Sequence, residues 1–250
     1  MLELSAVSKT FFPGTVNART ALSQVDLSIA DGEFVTVIGG NGAGKSTLLN
    51  AVAGTYPIDA GRIVLAGQDI TRWPEHRRAR LLGRVFQDPM RGTAPTMQLD
   101  ENLALAARRG QRRGLRWGLE KGERENYRAL LSELNLGLED RLSAKVGLLS
   151  GGQRQSLTLL MATLKKPQLL LLDEHTAALD PKTAETVLMI TDRLVRAHRL
   201  TTLMITHNMR DALRLGDRLI MMKEGRVALD VRGEEKAKWT VGALIERFGE

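Results

Sequence analysis

The chain has 250 residues, 43% of them hydrophobic, which suits one α/β domain with a packed core and a smaller inserted subdomain. It has no cysteine and only four scattered histidines, which excludes disulfides and thiolate metal sites and disfavours a zinc cluster. The formal net charge of +7 favours polyanionic partners, whether nucleotides, nucleic acids or anionic lipids.

The first part of the chain shows the alternating or continuous apolar pattern of β-strands in five short segments: 2–7, 25–29, 34–38, 61–67 and 83–86. From about 90 to 150 helical periodicity replaces this pattern, which predicts an all-helical insert. That insert contains a basic segment broken by glycines, at 108–116.

After the insert, helices and strands alternate. Helices are predicted at 151–165, 181–198 and 208–215, strands at 169–172 and 202–205, a final strand pair near Gly225, and one closing helix at 234–250. This order implies parallel strands joined by crossover helices.

The chain shows neither a secretory signal at its start nor an apolar run long enough to cross a bilayer. The longest such run, 157–164, has only eight residues. We therefore expect a chain that is soluble by itself and that reaches a membrane only through a partner.

The loop between the strand at 34–38 and the next helix has the spacing of a phosphate-binding loop. It consists of Gly39, Gly40, Asn41, Gly42, Ala43, Gly44, Lys45 and Ser46, followed by Thr47. Glycines let the backbone N–H groups curl around phosphate oxygens, Lys45 can reach the β- and γ-phosphates, and Ser46 can ligate magnesium. The rival interpretation, a dinucleotide-binding loop, requires a third glycine where Lys45 and Ser46 stand. The loop therefore predicts binding of a nucleoside triphosphate.

Two carboxylates, Asp173 and Glu174, follow the four leucines of the predicted strand at 169–172. Ligands bind at the carboxyl ends of strands in open α/β sheets. Asp173 can hold magnesium through water, and Glu174 can polarise a water for attack on the γ-phosphate. The pair could instead cap the next helix, but the phosphate-binding loop favours the catalytic interpretation.

A second glycine-containing segment begins the helix predicted at 151–165. It consists of Leu149, Ser150, Gly151, Gly152 and Gln153. Its position indicates a second anion-binding helix N-terminus, although a lone Ser-Gly-Gly is usually only a cap and a turn.

Taken in chain order, these features resemble the motifs of the ATP-binding-cassette (ABC) ATPases over about 2–230. The set comprises 45–47, Gln87, 149–153, 172–174, 178–180 and Thr206-His207. The resemblance implies an α/β fold with a P-loop nucleoside triphosphatase core, of the RecA-like type. This core has a mostly parallel sheet, an N-terminal antiparallel β subdomain and an inserted α-helical subdomain. The core would comprise 1–89 and 156–250, and the helical subdomain 90–155.

The resemblance also implies roles for individual residues. Gln87 would sense magnesium and couple to a membrane permease, the 149–153 signature would close over the ATP of a second subunit, and Asp180 would link the two sites. His207 would contact the γ-phosphate, and the implied magnesium ligands are Ser46, Gln87 and Asp173. Phe11 fits the aromatic that stacks on adenine, although Phe12 is adjacent and either ring could simply be buried at a strand end.

Two positions depart from the family pattern. His175 stands where the family usually has proline, as a turn residue or as a pH-sensitive neighbour of Glu174. Gly40 replaces the commoner proline or serine of the phosphate-binding loop. Neither change removes a catalytic group.

The resemblance implies the ATP-hydrolysing subunit of an ABC transporter, with ATP and Mg²⁺ as cofactors. Two copies would sandwich two ATP molecules in a homodimer or pseudo-dimer. They would lie at the cytoplasmic face of the inner membrane, bound to permease subunits and served by a solute-binding protein. The run 173–182, with 41–43 and 153–155, is similar to a bacterial uptake branch labelled for tryptophan/tyrosine or uncharacterised amino-acid transport.

Two other functions stay open at this point. A soluble ABC ATPase of DNA repair or the ribosome is disfavoured because the chain lacks a long coiled coil and a second cassette. A switch without turnover is disfavoured because Glu174 and His207 are both present. The basic segment could contact lipid headgroups, contact an acidic loop of a partner, or be solvated; its arginines are Arg108, Arg109, Arg112, Arg113 and Arg116. It lacks interleaved aromatics, so no nucleic acid is expected.

Overall fold

The computed structural model describes residues 1–111, 118–120 and 122–249. Its strands are β1 (Leu2–Phe11), β2 (Arg19–Ile29), β3 (Phe34–Gly39), β4 (Ala60–Leu65), β5 (Gln68–Asp69), β6 (Leu82–Val85), β7 (Leu169–Asp173), β8 (Thr202–Ile205), β9 (Arg218–Lys223) and β10 (Arg226–Arg232). Its α-helices are α1 (Lys45–Ala53), α2 (Glu75–Arg78), α3 (Leu99–Ala107), α4 (Glu123–Ser132), α5 (Gly151–Thr163), α6 (Pro181–His198), α7 (Met209–Arg214), α8 (Gly233–Ala237) and α9 (Val241–Gly249). Short 3₁₀ turns lie at Pro89–Gly92 and Val146–Leu148.

The strands form two sheets. The first has the order β2-β1-β4-β5 and is antiparallel, and the second has the order β10-β9-β3-β8-β7-β6. In the second sheet only β10 runs antiparallel to its neighbour. The α/β fold with a mostly parallel sheet and an N-terminal antiparallel sheet is thus confirmed.

The four leucines of β7 show how the parallel sheet is buried on both faces. Leu169 and Leu171 pack into the core shared with the antiparallel sheet and α1, whereas Leu170 and Leu172 pack among the helices α3 to α6. Successive strand residues point to opposite faces, so an unbroken apolar run is required where both faces are covered. The end of β7 is thereby fixed between two hydrophobic layers.

The phosphate-binding loop connects the central strand β3 to α1. Gly44 precedes α1 with φ 100, and a Cβ at this position would lie 2.3 Å from the carbonyl oxygen of Ala21, so only glycine fits. At the other end of α1, the buried Arg78 guanidinium donates to the carbonyls of Ala51 and Val52 at 2.7 and 2.9 Å. These carbonyls belong to the last turn of α1, where intrahelical partners are missing.

The structure differs from the sequence prediction in several element bounds. β1 runs on to Phe11 and β2 begins at Arg19, because these two strands pair with each other through several register shifts that interrupt the apolar alternation. The single closing helix predicted at 234–250 is wrong: α8 ends at Ala237 and α9 begins at Val241. The Thr240 hydroxyl accepts from the N–H of Ala243 and restarts the helix.

The segment 90–150 shows helices, turns and one isolated β-bridge in its described part, between Gln98 and Lys145. The division into a core and a helical subdomain stays a prediction, and α5 continues across its boundary at 155. Within the described residues, no helix has the length and apolarity needed to traverse a bilayer.

Candidate functional site

Lys45 is the first residue of α1, and its side chain folds back over the phosphate-binding loop. Lys45 is buried, with 8% of its surface exposed, and Nζ donates to the carbonyls of Gly39 at 2.7 Å and Gly40 at 3.1 Å. Burial lowers the pKa of Lys45, and the carboxylates of Glu174 and Asp173 act against this shift. An ammonium group has three donors, so two bonds to the loop leave one for a phosphate oxygen.

A cleft of about 230 Å³ brings together the predicted nucleotide-binding residues except Gly39 and Gly40. Its lining consists of Phe11, Arg19, Ala21, Asn41, Gly42, Ala43, Gly44, Lys45, Ser46, Thr47 and Glu174. The phosphate-binding loop, the adjacent Phe11 and the catalytic candidate Glu174 therefore face one space. Such convergence of a glycine-rich loop, a lysine and a carboxylate is what a triphosphate site requires.

Of the two neighbouring phenylalanines, Phe11 is the one that lines the cleft. Its ring meets Tyr56 edge-on, with 5.3 Å between the ring centroids. Phe12 leaves the strand with φ 51 and is 67% exposed. Phe11 rather than Phe12 therefore borders the cleft, with its ring packed against a second aromatic ring, and its stacking on adenine stays a prediction.

Arg19, which was not predicted from the sequence, also lines this cleft. Arg19 lies opposite Phe11 in the β1–β2 pairing, and its Nη2 donates to the carbonyl of Gly42 at 3.2 Å. The guanidinium thus reaches over the phosphate-binding loop from a neighbouring strand. Only the β1–β2 register could have revealed it, since nothing in the local sequence around Arg19 marks a ligand.

Glu174 and His207 come from the ends of two adjacent parallel strands. β7 and β8 pair with Asp173 opposite Ile205, and Glu174 Oε2 lies 3.2 Å from Nδ1 of His207. Glu174 adopts φ 44, a left-handed conformation that is uncommon for a residue other than glycine. The sheet therefore delivers a carboxylate and an imidazole to one point beside the phosphate-binding loop.

Asp173 is half-buried at the end of β7. Burial raises its pKa, and the nearby Arg84 guanidinium opposes this shift most strongly. Arg84 Nη2 lies 3.7 Å from Asp173 Oδ2 and 2.7 Å from Asn50 Oδ1 on α1. Arg84 is not among the residues predicted from the sequence, because its contact with Asp173 depends on the pairing of β6 with β7 and its contact with Asn50 on the position of α1.

Gln87 shares a second cleft, of about 320 Å³, with Asp173. The predicted magnesium ligands Ser46, Gln87 and Asp173 offer a hydroxyl, an amide oxygen and a carboxylate, all hard oxygen donors of the kind Mg²⁺ prefers. The described residues contain no group of three or more His, Cys, Asp or Glu side chains able to hold a metal. Ser46 lines the Lys45 cleft, whereas Gln87 and Asp173 line the second cleft.

The segment 149–153 forms the start of α5. Ser150 Oγ accepts from the N–H of Gln153 at 3.3 Å, and Gln153 Oε1 accepts from the N–H of Ser150 at 3.2 Å. A Cβ on Gly152 would lie 2.1 Å from Cγ2 of Thr183, so this glycine permits close approach to α6. Leu149 is buried, and a Cβ on Gly151 would lie 3.2 Å from the Leu179 side chain.

The same surface includes Asp180, which caps α6 by accepting from the N–H of Thr183 at 3.1 Å. Among the described residues, none from 149–153 or Asp180 belongs to the lining of the Lys45 cleft. The structure thus joins the signature segment to Asp180 but leaves both outside the cleft that holds the phosphate-binding loop.

His175 lies in the turn after β7, as one of the two predictions had it, but it is buried there and does not titrate near neutral pH. Only 2% of the surface of His175 is exposed, and Nε2 lies 3.0 Å from Oγ1 of Thr191 in α6. Burial lowers the pKa of His175 to about 4. The imidazole therefore acts as an uncharged side chain between the Glu174 turn and α6.

Two arginines of the basic segment at 108–116 contact other parts of the same chain. Arg108 pairs with Glu123 at 2.9 Å, and Arg109 donates to the carbonyl of Ala162 at 3.2 Å. Arg112, Arg113 and Arg116 lie outside the described residues.

The chain is similar to known proteins over nearly its full length. A family model described as "ABC transporter" matches residues 22–177. The tyrosine transport ATP-binding protein of Clostridioides difficile is 46% identical over 248 residues, 99% of this chain and 98% of that protein. An aliphatic sulfonates import ATP-binding protein of Burkholderia cenocepacia is 39% identical over 230 residues, 91% of this chain but 62% of that protein.

Solved structures agree with these relationships. The ADP conformation of an ATP-binding cassette of an ABC transporter superposes with a TM-score of 0.82 at 28% identity, covering 100% of this chain and 99% of the other. A dimeric post-hydrolysis cassette bound to ADP and Pi gives 0.77 at 30% identity, covering 93% and 98%.

Proposed function

The chain belongs to the ABC transporter family and is one of its ATP-hydrolysing subunits, and on that premise we propose that it powers uptake of an amino acid through a separate membrane permease. The assignment of the ATPase site is supported by one observation: a single cleft is lined by Lys45, Phe11 and Glu174. The amino-acid class is supported by the relative named for tyrosine transport, which matches this chain almost end to end.

Hydrolysis would proceed by in-line attack of water on the γ-phosphate of ATP. Glu174 would accept the proton of the attacking water, while Lys45 and His207 would stabilise charge on the transferred phosphoryl group. Phe11 would stack on adenine, and the N–H groups of Gly39, Gly40, Asn41, Gly42, Ala43, Gly44, Ser46 and Thr47 would surround the phosphates. Bound Mg²⁺, held by Ser46, Gln87 and Asp173, would supply neutralisation of the β- and γ-phosphate charge.

Each complete ATP site would contain residues from two copies of the chain. The signature segment 149–153 and Asp180 lie outside the Lys45 cleft of their own chain, and Ser150 is exposed at the N-terminus of α5. A second copy could therefore present this N-terminus to the γ-phosphate, since helix N-termini bind anions. A similar cassette is described as dimeric in its post-hydrolysis state.

The assembly would lie at the cytoplasmic face of the cell membrane, attached through permease subunits and supplied by a solute-binding protein. Gln87, in the cleft that also contains Asp173, would couple magnesium binding to the permease. The helical subdomain at 90–155 would move against the core as ATP closes and releases the dimer.

A dimerisation assay tests the ATPase site. Glu174→Gln should retain ATP binding, lose turnover and accumulate as a dimer in MgATP, measured by light scattering after gel filtration. Lys45→Ala is the matched control, because it should bind ATP weakly and stay monomeric. A Glu174→Gln variant with normal turnover, or one that stays monomeric in saturating MgATP, would refute this mechanism.

The cargo is tested by uptake in the source cells. Deleting the gene should abolish uptake of labelled tyrosine or a related amino acid, and the intact gene but not Glu174→Gln should restore it. Unchanged amino-acid uptake together with lost sulfonate uptake would overturn the substrate class and leave the ATPase mechanism standing.

A further inference from the structure

A chain of buried hydrogen bonds runs from the residue after Glu174 into α6. Nε2 of His175 lies 3.0 Å from Oγ1 of Thr191, and Thr191 Oγ1 donates to the carbonyl of Val187 at 2.8 Å. A hydroxyl has one hydrogen, so Thr191 must accept from His175. The imidazole proton is therefore on Nε2, and the bond has a fixed direction from the turn to the helix.

The backbone of Glu174 needs such an anchor. Its φ of 44 is left-handed, a conformation that is sterically unfavourable for an L-residue other than glycine. The N–H of Glu174 donates to the carbonyl of Ile205 at 3.1 Å, which holds the turn to β8. Conformations of this kind persist only where several contacts fix them together.

We propose that His175 is a positioning residue that holds the Glu174 carboxylate in place by tying its turn to Thr191. This inference rests on the proposed role of Glu174 as the base. The bond to Ile205 fixes the start of the turn, and the His175–Thr191 bond fixes the residue that follows. Phe11 and Lys45 lie on β1 and α1 rather than on this turn, so we expect the loss of the tie to change ATP binding little.

Loss of the His175–Thr191 bond should lower kcat and leave ATP affinity unchanged. Loss of the tie lets the Glu174 turn relax, and displacement of a reacting group by about 1 Å can slow a reaction about 100-fold. The contacts of ATP with the phosphate-binding loop and with Phe11 should not change when this bond is lost. A residue that only supports the fold would instead reduce thermal stability and affect kcat and KM together.

The test uses the full chain with MgATP and two pairs of variants. Thr191→Val keeps the shape but removes the acceptor, and Thr191→Ser keeps it. His175→Ala removes the donor, whereas His175→Gln places an amide N–H near the position of Nε2. We expect Thr191→Val and His175→Ala to lower kcat about 10- to 100-fold with KM within about twofold, and Thr191→Ser and His175→Gln to recover most of it. The kcat of the double variant His175→Ala/Thr191→Val should be no lower than that of His175→Ala, because both changes break the same bond.

Normal kcat in a folded Thr191→Val variant would overturn the proposal, as would additive losses in the double variant. If His175→Ala does not fold, the two Thr191 variants decide. Glu174→Gln is assayed alongside them. If it turns over normally the base assignment fails, whereas if it is inactive and Thr191→Val is normal only the positioning role fails.

Discussion

Nδ1 of His207 lies 3.2 Å from Oε2 of Glu174, although 33 residues separate them in the sequence. The parallel pairing of β7 with β8 places the ends of both strands side by side, so each side chain emerges at the same edge of the sheet. The imidazole is 64% exposed and the carboxylate 23%, so the His207 ring is free to turn toward a phosphate while Glu174 stays enclosed.

Replacing His207 tests whether this contact serves hydrolysis. His207→Ala should keep ATP affinity within about threefold and lower turnover by at least about 100-fold, because it removes a group that stabilises charge in the transition state. Phosphate release and equilibrium nucleotide binding measure the two effects. Loss of affinity with unchanged turnover per bound ATP would contradict the role.

The adjacent phenylalanines provide a matched pair for the adenine site. Phe11 lines the cleft, whereas Phe12 is exposed outside it. Stacking of a base on an aromatic ring contributes about 1–3 kcal/mol, so Phe11→Ala should weaken ATP binding about 5- to 150-fold. Phe12→Ala should bind ATP normally. Titration with a fluorescent ATP analogue measures both, and equal losses in the two variants would remove Phe11 from this role.

The same pair shows what the sequence could and could not predict. The phosphate-binding loop and the carboxylates at the end of β7 could be predicted from the sequence because each pattern consists of residues adjacent in the chain. The assignment of Phe11 over Phe12 depends on β1 continuing to residue 11 opposite Arg19, after register shifts that hide the strand period. Local patterns do not contain such pairings.

Burial was equally hard to predict for isolated polar residues. His175 is buried because α6 packs over the turn after β7, and its partner Thr191 lies 16 residues further on. Arg84 approaches Asp173 because β6 pairs with β7, and its guanidinium also reaches Asn50 on α1. The break after α8 depends on a threonine cap inside a continuous helical pattern.

Arg78 tests how firmly α1 is anchored. Its guanidinium is buried and donates to four backbone carbonyls, those of Ala51, Val52, Thr71 and Trp73. Arg78→Ala should lower the free energy of unfolding by about 2–5 kcal/mol, because these buried acceptors lose their partner.

Arg77 is the control for this change, because it is exposed and stacks on Trp73 with 3.8 Å between its guanidinium carbon and the ring centroid. Arg77→Ala should cost less than about 1 kcal/mol. Urea unfolding followed by circular dichroism compares the two variants. Similar losses in both would show that the carbonyl contacts of Arg78 contribute little.

Lys236 gives the fold a specific pH dependence. Its residue is 5% exposed, and Nζ donates to the carbonyls of Leu215 and, at 2.8 Å, Gly216. Burial lowers the pKa of Lys236 to about 8, against the attraction of Asp217. Below pH 8 the lysine is charged in both the folded and unfolded states, and the cost of burying the charge is fully present.

Between pH 8 and the ordinary lysine pKa of about 10.4, the unfolded state holds more protons than the folded state, so the contribution of Lys236 to stability rises with pH. The free energy of unfolding of the wild type relative to Lys236→Met should therefore rise from pH 8 to 10, by at most about 1.4 kcal/mol per pH unit. Lys238→Met is the control because Lys238 is exposed, and its difference from the wild type should stay flat. Urea unfolding at pH 7, 8, 9 and 10 measures these differences. A flat difference for Lys236→Met as well would mean that the folded chain does not lower the pKa of this lysine.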